Sequence, residues 1–201
     1  MKHLVRLTIV SLALAAVAQA QQAPVQPVRV RGTVQAFDGQ TLTLATPKDG
    51  VVKLAVGATT GINGLVPKTV ADIGDNTFIG TTAVKDAKGR WQATEVHIFP
   101  ESMRGAGEGH YAWDLPESTM TNAAVTGAVR KGKAGTFSLK YAGGTVDVDV
   151  TRKTKIVGLT AGDRSLLVPG ATVFALAVPQ VSGGPSAVAI VAETKGVKPP
   201  M

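Results

Sequence analysis

One segment of the 201-residue chain concentrates the side chains that could do chemistry. Two of the three histidines, His97 and His110, lie between positions 95 and 122, together with most of the glutamates and several aromatic residues. Glu95 and His97 are two residues apart, and Glu108 and His110 repeat that spacing in a glycine-rich stretch. Because side chains two apart on a β-strand point the same way, we expect Glu95 and His97 to share one face.

Imidazoles and carboxylates in this combination suit a divalent transition metal, namely Zn²⁺, Ni²⁺, Co²⁺ or Cu²⁺. No other cofactor is predicted. The candidate metal ligands are Glu95, His97, Glu101, Glu108, His110 and Asp114. The alternative is structural, with the same side chains forming a polar outer face or docking the segment onto the fold. The spacing matches no strong metal motif such as His-Glu-x-x-His.

Catalytic chemistries have weaker support. The glycine-rich stretch 105–109 is not followed by a helical pattern, as a phosphate-binding loop would be. Ser102, His110 and Asp114 are the residue types of a hydrolase triad, but no Gly-x-Ser-x-Gly motif surrounds Ser102. The chain has no cysteine, which excludes disulfides, thiolate metal sites and a cysteine nucleophile. We therefore predict that the protein is not an enzyme.

The first twenty residues have the pattern of a secretory signal peptide. Lys2 and Arg6 precede an apolar run at 7–17, and a small-x-small tripeptide ends at Ala20. The run is shorter than the ~20 apolar residues that span a bilayer. We predict cleavage after Ala20, residence in the periplasm or outside the cell, and no membrane span.

The net charge is +7 at neutral pH, and the basic residues are scattered through the sequence. Nucleic-acid-binding proteins more often concentrate such residues with aromatic side chains on one face. We therefore predict no nucleic-acid partner.

Alternation of polar and apolar residues dominates the rest of the chain. Segments such as 41–44 and 145–151 have the period of two that is typical of half-buried strands, with glycine-containing turns between them. No stretch has a convincing helical stripe, and only 66–73 and 161–167 could form a helical turn or two. The pattern predicts an all-β fold.

The strand pattern occurs twice. Residues 50–65 match residues 144–159 at an offset of 94, with seven identities in 16 positions. The same offset places Val191 in the second copy opposite His97 in the first. Such a repeat predicts an internal duplication.

Each copy predicts five short strands and therefore an OB-like (oligonucleotide/oligosaccharide-binding type) Greek-key barrel. The predicted fold is two tandem five-stranded barrels. The predicted strands are 28–37, 40–46, 50–57, 77–85 and 91–99, then 124–130, 135–141, 144–151, 171–178 and 186–193. The predicted divisions are a signal peptide (1–20), a first barrel (21–99), a connecting segment (100–123), a second barrel (124–194) and a flexible tail (195–201).

The layout resembles a family of exported bacterial proteins built from small β-barrel domains of unknown function. The resemblance rests on the alternation around Gly32, Thr41–Leu44 and Thr60-x-Ile62, and on the run Glu95–Glu101 that leads into Arg104–His110 and Trp113-Asp114. Some relatives carry automatic labels as metal-transport components. The resemblance therefore implies an exported β-barrel protein, with a hint of metal handling.

These patterns favour a non-enzymatic periplasmic binding or adaptor protein with a docked connecting segment. Its predicted partner is an envelope protein or a small ligand. The alternative is a periplasmic transition-metal-binding protein that uses His97, His110 and nearby glutamates. The oligomeric state is not predicted.

Overall fold

The computed structural model describes residues 27–182 and 184–199, which form an all-β structure, as predicted. Its strands are β1 Val28–Phe37, β2 Thr41–Thr46, β3 Gly50–Pro67, β4 Phe78–Lys85, β5 Trp91–Ile98, β6 Gly109–Ala112, β7 Ser118–Lys131, β8 Ala134–Tyr141, β9 Gly144–Val150, β10 Lys155–Ala161, β11 Thr172–Val178 and β12 Ser186–Ala192. Short 3₁₀ turns occur at Val70–Asp72, Glu101–Met103 and Arg164–Leu166, and the first and last lie where the sequence allowed helical turns.

The predicted signal peptide, residues 1–20, lies outside the described residues. Within 27–182 and 184–199, no helix is long and apolar enough to cross a bilayer.

Alternation along the strands decides which side chains enter the core. Leu42 and Leu44 of β2 are completely buried. Val148 and Val150 of β9 are 2% and 3% exposed. Burying a side chain of this size contributes roughly 1.5–3 kcal/mol, so these positions hold their strands in register.

The first barrel is a closed ring of five strands in the order β1, β2, β3, β12, β11 and back to β1. Adjacent strands within this ring pair antiparallel, except β3 and β12, which pair parallel. Buried side chains from all five strands fill it, among them Val34, Leu54, Val173 and Ile190.

Strands β4, β5, β7, β8 and β9 form a second ring of pairings in the order β4, β5, β9, β8, β7 and back to β4. Here β5 and β9 are the parallel pair. A separate core containing Ile79, Val96, Phe137 and Leu139 fills this ring. We call the two circuits the first and second rings.

The pairing corrects the predicted tandem arrangement of 21–99 followed by 124–194. Strands β1 to β3 pair with β11 and β12, whereas β4 and β5 pair with β7 to β9. The physical reason is β3, which continues to Pro67 where the sequence predicted an end near residue 57. Its extension carries the chain away from the first ring, so β4 and β5 complete the second ring.

Residues 58–76 and 152–170 lie between the third and fourth predicted strands of the two copies, and parts of these two stretches pair with each other at the centre of the molecule. Leu65 of β3 pairs with Leu159 of β10, and the register runs symmetrically outward to Pro67 opposite Val157 and Asn63 opposite Ala161. Every one of these pairs is related to another, or to itself, by the offset of 94 found in the sequence. Leu65 and Leu159, which the offset of 94 relates to each other, therefore lie at the centre of this symmetric pairing.

Candidate functional site

Strand β5 places Glu95 and His97 on one face, as the alternation predicts. Val96 between them points into the core of the second ring. Both polar side chains are buried, with 2% of Glu95 and 6% of His97 exposed. A buried acid next to a buried imidazole is unusual in a small fold, and it makes this face of β5 a candidate functional site.

Burial controls the ionisation of this pair. The hydroxyl of Thr82 donates to Glu95 Oε1 at 3.0 Å, while His97 Nε2 lies 3.6 Å from the same oxygen, beyond hydrogen-bond distance. Loss of hydration raises the pKa of Glu95 to about 7 and lowers the pKa of His97 to about 4. Between those values both groups are neutral.

His97 lines a cavity of about 250 Å³ that lies over the central strands and beneath the connecting segment. Its walls are mostly apolar and aromatic. The central strands β3 and β10 contribute Asn63 and Leu159, and the strands beside them, β5 and β12, contribute His97, Ala189 and Val191. Strands β7 and β11 contribute Met120, Asn122, Phe174 and Leu176. The chain between β5 and β7 contributes Phe99, Met103, Ala106, Gly107, Tyr111 and Trp113.

Asn122 joins the connecting segment to the cavity wall. Its Nδ2 donates to the carbonyl oxygens of Ala106 and Gly107, at 3.1 and 3.2 Å. Its Oδ1 is buried and has no hydrogen-bond partner among the described residues. A buried acceptor without a donor costs about 1–3 kcal/mol of stability.

A glycine permits the close packing at this point. A Cβ on Gly80 of β4 would lie 2.6 Å from Asn122 Oδ1 and 2.9 Å from the ring of Phe99. Only a residue without a side chain lets the amide and the aromatic ring approach the sheet so closely.

The far end of the connecting segment is held by the first ring. Asp114 forms an ion pair with Arg31 of β1, and both side chains are largely buried. The guanidinium of Arg29 lies over the Trp113 ring, 3.8 Å from its centroid, and Trp113 also contacts Phe174. The segment therefore covers one side of the cavity and contacts both rings.

The other predicted metal ligands have separate partners. Glu101 accepts from Arg104, and Glu108 accepts from the backbone N–H of Ala142. His110 Nδ1 lies 2.8 Å from the Thr121 hydroxyl.

Of the six predicted metal ligands, only Glu95 and His97 come together. No cluster of three or more His, Asp or Glu side chains that could hold a metal is found in the described part of the chain. Binding of Zn²⁺, Ni²⁺, Co²⁺ or Cu²⁺ stays a prediction.

Sequence reasoning missed the cavity residues that come from distant strands. Phe174, Leu176, Ala189 and Val191 reach the site only because β11 and β12 cross to the first ring. One signal was present: the offset of 94 relates Val191 to His97, and both lie beside the central strands.

Comparison of the chain with protein-family models, with curated proteins and with solved structures gives no match. The resemblance to exported β-barrel proteins therefore stays a prediction.

Proposed function

We propose that the protein is a non-enzymatic binding protein and that its site is the cavity beneath the connecting segment. The proposed ligand is a small, neutral, largely apolar molecule. The observation that carries the proposal is a largely apolar, aromatic-lined cavity beside the buried imidazole of His97.

The cavity size limits the ligand. Drug-sized molecules occupy pockets of about 300–1,000 Å³, and a cavity of about 150 Å³ holds benzene. The volume of about 250 Å³ lies between these limits. It suits one substituted ring or a short branched chain.

The lining favours a neutral ligand. Among the described lining residues, none carries a full charge at neutral pH, because the low pKa of His97 keeps its imidazole uncharged. Moving an ion into such surroundings without a counter-charge costs several kcal/mol.

Binding is a better interpretation than acid–base catalysis. A general base works best when its pKa lies near the operating pH. His97, which lines the cavity, has a pKa of about 4 and is a weak base at neutral pH. Glu95 has a pKa of about 7, but its side chain is only 2% exposed, accepts from Thr82 and is not among the residues that line the cavity.

Filling the cavity should abolish binding. We expect phenol or indole, but not benzoate, to bind with a measurable heat of binding, and Ala189→Leu to weaken that binding at least tenfold because the new side chain occupies the cavity. Val188→Leu is the matched control, since Val188 is the neighbouring, exposed residue on the same strand. Calorimetry checks the affinities. Failure of every neutral probe, or equal binding by Ala189→Leu, would reject the proposed site.

We also infer that the rings are OB-like Greek-key units that arose by internal duplication and exchanged their last two strands. The support is the constant offset of 94 through the central pairing, and the same ring order, with one parallel pair, in both circuits. Export to the periplasm and an envelope partner remain part of the proposal, and they rest on residues 1–20 and the resemblance.

A further inference from the structure

Two cation-rich turns that are far apart in the sequence meet at one end of the second ring. Arg130 and Lys131 end strand β7, Lys133 follows in the turn to β8, and the turn between β9 and β10 carries Arg152 and Lys153. All five are exposed. The basic residues appear scattered in the sequence because only the fold brings these turns together.

The turns border a groove of about 400 Å³, which we call the basic groove. It is lined by Lys68, Thr69, Val70, Ala71, Gly132, Lys133, Thr151, Arg152, Thr154 and Ile156. Lys68 Nζ lies 3.3 Å from Asp72, whereas Lys133 and Arg152 form no salt bridge within the described residues. Cations on three separate chain segments thus face one concave space with few opposing charges, which concentrates an anion there.

The equivalent groove of the first ring is filled. At the offset of 94, Val70 corresponds to Arg164, whose guanidinium donates to the carbonyl oxygens of Gly39 and Gly57, each at 2.9 Å. A short apolar side chain at Val70 leaves the related space open in the second ring.

The cations are also specific to one ring. Lys68 and Arg152 correspond to Gly162 and Ala58. The two rings share the same strand order, and only the second carries these cations. The fold itself therefore does not require them.

The lining selects among anions. Among the described lining residues there is no aromatic side chain on which a base or sugar ring could stack. Lysine and arginine donors with threonine neighbours suit a compact group with several acceptor oxygens.

We propose that the basic groove binds a phosphate group, on a small soluble molecule or on a lipid headgroup. The site shares no lining residue with the cavity beneath the connecting segment. The two proposals can therefore fail independently.

The test compares the full-length protein with two double variants of equal charge change. Lys133→Gln/Arg152→Gln removes the unpaired cations of the groove, and Lys53→Gln/Lys140→Gln removes two exposed lysines elsewhere. The probes are inorganic phosphate, glucose 6-phosphate, and vesicles of phosphatidylcholine with or without phosphatidylglycerol, measured by calorimetry and co-sedimentation.

We expect the groove variant to bind at least tenfold more weakly than the wild type and the control variant to lose less than threefold. Affinity should also fall as salt rises. Binding of the soluble phosphates alone assigns a small ligand, and binding of anionic vesicles alone assigns a headgroup. Equal losses in both variants, or no binding of any probe, would overturn the proposal.

Discussion

Cleavage of the backbone at the turn Leu115–Glu117 is expected to leave the two halves of the protein assembled. Each half supplies strands to both rings: the first gives β1 to β3 and then β4 and β5, and the second gives β7 to β9 and then β11 and β12. Two tandem barrels would separate after the same cut.

The contacts that would hold the cleaved halves together are extensive. Strand pairs that join the halves are β1 with β11, β3 with β12 and β10, β5 with β9 and β10, and β4 with β7. Separation would break both closed rings and expose both cores. The cut removes the covalent link, so it makes the unfolding midpoint depend on concentration while the native complex persists.

The test uses a variant with a protease recognition sequence inserted after Leu115. Leu115 is more than half exposed, so the turn is accessible. Size-exclusion chromatography of the cleaved protein should give one peak at the mass of the whole chain, which separates into two fragments in 6 M guanidinium. An uncleaved sample of the same protein is the control. Two native peaks at half the mass would contradict the exchanged pairing.

The strands were predictable because their cores enforce a period of two. β1, β2, β8 and β9 lie within one residue of their predicted bounds. The partners were not predictable by the same argument, since alternation says which face of a strand is buried and nothing about which strand lies beside it.

The exchange depends on the stretch from Gly57 to Pro67. The sequence predicted no strand between residues 57 and 77, but pairing with β10 and β12 holds this stretch extended. Gly64 is also needed for packing, because a Cβ there would lie 2.6 Å from the Thr194 hydroxyl. Long-range strand pairing thus extends β3 beyond the end that the local pattern predicted.

The candidate site was half predictable. The shared face of Glu95 and His97 follows from their spacing, and the density of unusual side chains in the connecting segment indicated that it packs against the fold. The cavity itself was not predictable, because its other wall comes from β11 and β12.

Opposite pH dependences of stability are expected for variants of the buried pair. Folding raises the pKa of Glu95 from its ordinary 4.5 to about 7, so the folded state holds the proton that the unfolded state has lost. This contribution to stability is present below pH 4.5 and is lost as the pH rises through 7. His97 has the reverse behaviour: with a folded pKa of about 4 against 6.5, its contribution is present above pH 6.5 and is lost as the pH falls towards 4.

Between pH 5 and 8 the two effects nearly cancel in the wild-type protein. Integrating each shift over that window gives a loss of about 2–3 kcal/mol from Glu95 and a gain of about 2 kcal/mol from His97 as the pH rises. Replacing one of the two titratable side chains should leave the pH dependence of stability due to the other uncompensated. From pH 5 to 8 we therefore expect Glu95→Gln to gain about 2–3 kcal/mol of unfolding free energy relative to the wild type, and His97→Gln to lose about 2 kcal/mol.

Urea unfolding at pH 5, 6.5 and 8 measures these differences. Glu95→Gln keeps an oxygen that can accept from Thr82, so its packing cost should be small and independent of pH. Glu101→Gln is the matched control: its exposed carboxyl has a lowered pKa because of Arg104, and it therefore titrates below the window. Arg31, Asp114 and Lys155 also act on Glu95, and they remain unchanged in every variant.

The direction in which the stability of each variant departs from that of the wild type distinguishes two charge states of Glu95 and His97. If Glu95 and His97 are neutral when buried, the two variants diverge from the wild type in opposite directions as the pH rises. If they instead form a buried ion pair, each charge stabilises the other. Either substitution would then leave an uncompensated charge and lower stability across the window, with the greatest loss where that charge is fully developed. Divergence in opposite directions would establish that the imidazole in the cavity wall is uncharged at neutral pH, the condition on which a neutral ligand depends.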